Sequence, residues 1–182
     1  VESHFFYMIP LHKCFKLLDD GFSLITVSDN KVPNFAWKKC QTKQLTKSEF
    51  EKQYNYSGGI FRKDKTELSK TDNIGIVTGY DFLECLDIDL KVFSTAKEQV
   101  EWWKEYLSFL EDNILDFHEK FVITKTKNSG FHILYKSKRA EGNQKIAKLK
   151  GHKEAILETR GIGGYVFIYD NNSKEPIEIA KD

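Results

Sequence analysis

The 182-residue chain contains no run of about 18 consecutive apolar residues, the length a helix needs to cross a bilayer, so neither a membrane span nor a membrane partner is expected. Its first residues lack a basic segment followed by an apolar core and a small-residue cleavage site, so no secretory leader is expected either. Cysteine is scarce. Cys14, Cys40 and Cys85 form no Cys-x-x-Cys pair, and an odd number of thiols fits a reducing, cytoplasmic compartment. His4, His12 and Cys14 lack the fourth ligand and the spacing of a zinc site, and read as core or surface residues. There are no internal repeats and no clear linker. The chain opens at Val1 and stops at Asp182 without evident terminal signals, which suggests a domain cut from something longer.

What is present is an ordered, charged, aromatic-rich sequence: 40% hydrophobic, 14% aromatic and 30% charged residues, enough for one domain with a substantial core. The net charge of +1 conceals a separation. From Asp81 to Glu119 there are eleven acidic residues against three lysines, and from Lys120 to Lys153 ten basic residues against the single acid Glu141. An acidic block followed by a basic one suits a site for metal and polyphosphate or nucleic acid, and equally suits two solvated faces.

Within the acidic block, Leu83-Glu84-Cys85-Leu86-Asp87-Ile88-Asp89-Leu90 reads as a strand. Successive side chains alternate, so Asp87 and Asp89 project from one side and Leu86, Ile88 and Leu90 from the other. Two neighbouring carboxylates repel each other unless a cation lies between them, and hard oxygen ligands suit Mg²⁺ or Mn²⁺. The alternative is a solvated rim at a strand end.

Along the chain, Met8, Leu11, Phe15 and Leu18 recur at helical spacing, with Gly21 as the stop. A strand over Phe22–Val27 follows, then the loop from Lys31 to Lys39, which interleaves cations with Phe35 and Trp37. That mixture can hold phosphates and stack on bases, or pin the loop to the core through Trp37. Leu45–Tyr54 reads as a helix capped by Thr46 or Ser48, and Tyr56–Asp72 as an irregular connection. Asn73–Gly79 reads as a strand leading into the Asp87 strand by a hairpin or near-hairpin. Thr95 and Glu98 form a capping box, and Val100, Trp103, Leu107, Leu110, Ile114 and Phe117 mark one continuous helical stripe facing the core. Phe121–Thr126 and Phe131–Lys136 read as antiparallel strands joined by the turn Lys127-Asn128-Ser129-Gly130, which places His132 on the return strand. Arg139–Gly151 reads as a polar helix or flexible arm whose lysines could hold a template. Ala155–Arg160 is a further strand that Gly161-Ile162-Gly163-Gly164 turns into Tyr165–Tyr169.

Asp87-Ile88-Asp89, then a long helix, then Ser129-Gly130-Phe131-His132, then Leu157-Glu158-Thr159-Arg160-Gly161-Ile162-Gly163-Gly164-Tyr165-Val166 resembles the three ordered motifs of the archaeo-eukaryotic primase superfamily. More narrowly, it resembles the bifunctional primase-polymerase domain of plasmid, phage and bacterial replication proteins. The upstream Lys31-Val32-Pro33 with Trp37, and Asn73–Gly79, match the usual lead-in. The resemblance implies an α+β fold: an RRM-like antiparallel sheet forming the catalytic core, with an N-terminal α/β module beside it to form a cleft, divided near residues 72 and 73. It further implies that Asp87, Asp89 and Glu158 bind metal and that His132 contacts the nucleotide. Ser129, Lys127, Arg160 and Lys31 are additional candidates for phosphate contact. Two positions depart from the family pattern. Gly130 stands where Ser is frequent, and Glu158 where Asp is frequent. The implied partners are a single-stranded DNA template and primer, nucleoside triphosphates, and a fused or separate helicase or accessory domain.

The chemistry is self-consistent. Phosphoryl transfer to a sugar hydroxyl requires positioning and charge neutralisation rather than a covalent enzyme intermediate, and two cations about 3.5–4 Å apart supply both. A non-catalytic single-strand-binding module and a metal-dependent nuclease are the rival readings. A relaxase is disfavoured because no His-x-His pair is present.

Overall fold

Residues 8–56 and 71–169 are described by the computed structural model. The first helix, α1 (Leu11–Asp19), forms where the apolar spacing places it and stops at Gly21, whose φ of +91° suits a residue without Cβ. Strand β1 (Leu24–Val27) follows, fully buried along its length. The Lys31–Lys39 loop ends in a short 3₁₀ turn, Trp37–Gln41, and Trp37 sits edge-on to Tyr165 with ring centroids 5.2 Å apart. Trp37 therefore fastens this loop to the rest of the molecule. Helix α2 (Lys47–Tyr54) begins with a capping box in which Thr46 and Glu49 satisfy each other's backbone N–H groups, a feature worth about 1 kcal/mol. Most of the segment read as an irregular connection, residues 57–70, lies outside the described residues.

Strands β2 (Asn73–Val77) and β3 (Leu83–Ile88) are consecutive but do not pair, so the expected hairpin does not form. The reason is that both edges of each strand are already taken. Strand β2 lies between β1 and β8 (Tyr165–Ile168) in a three-stranded sheet, while β3 lies between β5 (Phe131–Lys136) and β7 (Leu157–Arg160) in a five-stranded one. Between β2 and β3 the chain turns through Gly79, Asp81 and Phe82, with φ of 82°, 49° and 59°. The same accounting overturns the turn expected to fold β7 back into β8, because these strands belong to different sheets.

The larger sheet is wholly antiparallel in the order β4-β5-β3-β7-β6, with β4 (Val122–Lys125) and β6 (Gln144–Ala147) at its edges. Strand β3, the crossover helix α3 (Ala96–Asn113), β4 and β5 make a split β-α-β unit, and β7 on the other side of β3 completes the RRM-like order. Strand β6 corrects the expectation of a helix or flexible arm over Arg139–Gly151. Its four residues include one lysine, Lys145, and the first three are all exposed, so no alternation of buried and exposed positions marks the strand.

Helix α3 opens with the expected Thr95–Glu98 capping box and covers one face of this sheet, where Trp103 stacks on Phe131 at 3.7 Å between centroids. The continuous stripe holds only in part. Val100 is 51% exposed, the helix ends at Asn113, and Asp116 in the left-handed region (φ 58°) starts a separate turn, α4 (Phe117–Lys120), which buries Phe117. Among the described residues no helix is long and apolar enough to cross a membrane.

Two apolar clusters result. Leu86, Ile88, Ile133 and Leu157 pack beneath α3, α4 and the residues around them. Leu83, Cys85 and Leu134, on the opposite face, join the cluster formed by α1, α2 and the smaller sheet. That second contact covers only part of the face, and the uncovered part holds the site.

Candidate active site

Because β3 alternates, Leu83, Cys85 and Asp87 share the face away from α3. Going along the strand, this face changes from apolar and covered to polar and open. At Asp87 the register places His132 of β5 directly opposite on one side and Glu158 of β7 directly opposite on the other. The row continues to Thr124 on β4 and Lys145 on β6. Directly opposed residues of antiparallel strands project to the same face, so one polar row crosses the sheet. It borders a cleft of about 480 Å³ whose lining includes Asp87, Asp89, His132, Arg160, Lys127 and Lys31.

Hydrogen bonds fix the imidazole. His132 is buried, and its Nδ1 lies 3.1 Å from the backbone oxygen of Phe167 on β8. A carbonyl oxygen only accepts, so Nδ1 carries a proton and the smaller sheet orients the ring. Nε2 is then directed toward Asp87, at 3.6 Å from Oδ1. The Asp87 carboxyl is pushed up by burial, but the neighbouring His132 and Arg160 together outweigh that and hold it below its ordinary value of 3.8. A carboxyl depressed in the folded state stabilises the fold above its unfolded pKa, and the contribution disappears as pH falls through the folded value. The stability difference between the wild-type protein and Asp87→Asn is thus expected to be largest near neutral pH and to shrink below about pH 3.8, as measured by urea midpoints across an acid series.

Of the sequence-derived candidates, Asp87, Glu158 and His132 meet in one row, and Arg160 joins them. Its guanidinium lies 2.8 Å from Glu158 Oε2 and 3.1 Å from Asp87 Oδ2. Asp89 lines the same cleft, but its carboxylate accepts the Lys91 N–H at 3.1 Å and pairs with Lys91 Nζ at 2.8 Å. Each of the three acids thus carries a protein cation. Among the described residues no three His, Cys, Asp or Glu side chains surround a point where a metal ion could sit. The donor set nevertheless fits one in kind: three hard carboxylates at or beside one cleft, two of them neutralised by Arg160 and one by Lys91, both long side chains able to swing away.

Lys127 and Lys31 line the cleft from the β4–β5 turn and from the loop after β1. Ser129 is exposed in that turn with φ of 64° and lies outside the cleft lining, whereas Thr126 and Asn128 belong to it. Gly130 is required for steric reasons. A Cβ there would come 2.2 Å from the carbonyl oxygen of Ile88, so no serine fits at this step, and the Gly130 N–H donates instead to Thr126 Oγ1 at 3.0 Å.

Sequence reasoning passed over Lys91, Asn143, Tyr165, Phe167 and Tyr169 as site residues, all of which line the cleft. The alternation of Tyr165, Phe167 and Tyr169 was a readable sign that one face of β8 is aromatic. Lys91 reaches Asp89 from the short turn that follows β3, and Asn143 stands in the segment just before β6. The three thiols are buried and form no disulfide, and burial pushes Cys14 up to about 12, Cys40 up and Cys85 well above the usual range, which disfavours the thiolate.

No curated protein sequence matches the chain. The family model described as "Bifunctional DNA primase/polymerase, N-terminal" matches residues 15–176, a span that contains β3, the β4–β5 turn and the β7–β8 crossover. With nearly the whole chain matched, the protein belongs to the bifunctional DNA primase/polymerase N-terminal domain family.

Proposed function

We propose that the protein is a template-directed nucleotidyltransferase that adds nucleotides to the 3′-hydroxyl of a DNA or RNA strand. The observation that carries this reading is the cross-strand row His132–Asp87–Glu158 at the edge of a cleft that also receives Asp89, Arg160, Lys127 and Lys31. Asp87, Asp89 and Glu158 would hold divalent Mg²⁺ or Mn²⁺, which when bound favours the ionised 3′-hydroxyl and neutralises the triphosphate.

The protein's own groups do the rest. With Nδ1 held on the Phe167 carbonyl, His132 turns Nε2 toward Asp87 and the cleft, where it is placed to contact a phosphate oxygen rather than to act as a base. Arg160 and Lys127 supply further charge to the polyphosphate, and Arg160 can do so bidentately. Asn143 and Gly163 form part of one side of the cleft, and a backbone or base can approach closely at Gly163, where even a Cβ would meet nothing within 4 Å. Single-stranded template, primer and nucleoside triphosphate are the partners this assigns.

A labelled primer annealed to a longer template, incubated with nucleotides and Mn²⁺, tests the reading. Elongation that follows the template sequence is the expected result. Shortening of the primer would make the site a nuclease. Unchanged primer, together with strand binding indifferent to divalent metal, would make the domain a binding module.

A further inference from the structure

Arg160 stands where a cation has to sit. It lies two residues beyond Glu158 on β7, opposite Cys85, which puts it on the same face as Glu158 and diagonal to Asp87. Its NH2 group is 2.8 Å from Glu158 Oε2 and 3.1 Å from Asp87 Oδ2, and its Nε is 3.2 Å from the same Asp87 oxygen. One guanidinium therefore bridges two carboxylates on neighbouring strands. The side chain is also 34% exposed and lines the cleft, so part of its donor set faces the space a ligand would enter.

We infer that Arg160 is an exchangeable cation. It holds Asp87 and Glu158 together when the site is empty and passes to the triphosphate when a divalent metal takes its place on the carboxylates. This rests on the nucleotidyl-transfer reading and deepens it: metal and nucleotide load cooperatively because one side chain links them. Two carboxylates on neighbouring strands repel each other, and the guanidinium that bridges them offsets that repulsion. A divalent ion on the same oxygens must displace it. A displaced guanidinium matches phosphate geometry as well as it matches carboxylate, so a bound triphosphate removes the competitor from the metal's ligands. The effect is reciprocal by linkage. Lys91 on Asp89 has no need of the phosphate, because Glu154 already lies 3.2 Å from its Nζ.

The test measures binding and not synthesis. Free Mn²⁺ is followed by its electron paramagnetic resonance signal, with protein alone and with a non-hydrolysable deoxynucleoside triphosphate. Affinity for that triphosphate is also measured in EDTA. Arg160→Gln is expected to bind Mn²⁺ alone about tenfold more tightly than the wild type and the metal-free triphosphate about tenfold more weakly, within the usual range of coupling between linked sites. Opposite signs are the signature, because an arginine that merely supports the fold would weaken both. Arg160→Lys, which keeps the charge but loses the planar fork, is expected to shift both affinities in the same directions by less, and serves if the glutamine variant does not fold. Mn²⁺ binding that survives Asp87→Asn would overturn the exchange and the nucleotidyl-transfer reading together. Binding that requires Asp87 but is unchanged or weakened by both Arg160 variants would overturn the exchange alone.

Discussion

Asp87→Asn is expected to lower metal-dependent primer extension by about a thousandfold or more, equivalent to about 4 kcal/mol of lost transition-state stabilisation. Asparagine keeps the volume and one oxygen of the side chain but removes the charge, at the centre of the row between His132 and Glu158. Folding should survive, because Arg160 keeps Glu158 as a partner at 2.8 Å and the apolar contacts of Cys85 and Ile88 on either side are untouched. His132→Ala is expected to differ in kind. It removes one donor to phosphate, so the KM for nucleotide should rise about tenfold, the range for a hydrogen bond to a charged group, with a smaller fall in kcat. Steady-state extension assays on the two variants, with thermal melts as controls, separate these roles. Synthesis retained by Asp87→Asn would remove Asp87 from the chemistry.

Gly161→Ala is expected to destabilise the protein by about 3 kcal/mol or more, enough to lower the melting temperature by about 6–12 °C for a chain of this size. A Cβ at this position would lie 1.8 Å from the carbonyl oxygen of Glu141, a backbone atom that cannot swing aside. That oxygen accepts the Ile162 N–H, and the Glu141 N–H donates at 2.8 Å to the buried carboxylate of Glu84. Moving one of these groups therefore disturbs the crossover from β7 to β8 and the side of the cleft it builds. Gly142→Ala is the control. A Cβ there meets nothing within 4 Å and its φ is not in the left-handed region, so its melting temperature should be unchanged within about 0.5 kcal/mol of stability. Differential scanning calorimetry of the two variants decides the matter, and equal melting temperatures would show that the crossover is not held as described.

Much of the site was legible because its pieces obey local rules. The alternation in β3 put Asp87 on the side away from the helix, the Thr95–Glu98 box located α3, and the turn before His132 placed that residue on a return strand. Local rules also explain the errors. Asn73–Gly79 followed by another strand looks like a hairpin when only sequence separation is considered, but pairing depends on which edges remain open, and those were taken by β1, β8, β5 and β7. Strand β6 lacked a pattern because it is a four-residue edge strand whose first three residues are all exposed. Ser129, offered by the family pattern one place before the position where Ser is frequent, is exposed in the turn and stands outside the cleft lining, which takes Thr126 and Asn128 from the same segment.

The sequence by itself determined helices α1, α2 and α3, the last two with their capping boxes, because these follow from periodicity and side-chain type within a few residues, while the resemblance to a family supplied Asp87, Asp89, His132 and Glu158 as candidates and the α+β arrangement. Only the tertiary structure decided that His132, Asp87 and Glu158 share one row, that Arg160 bridges two of the acids, and that Asp89 turns to Lys91. Register between strands more than 40 residues apart is set by how the sheet closes over its apolar face.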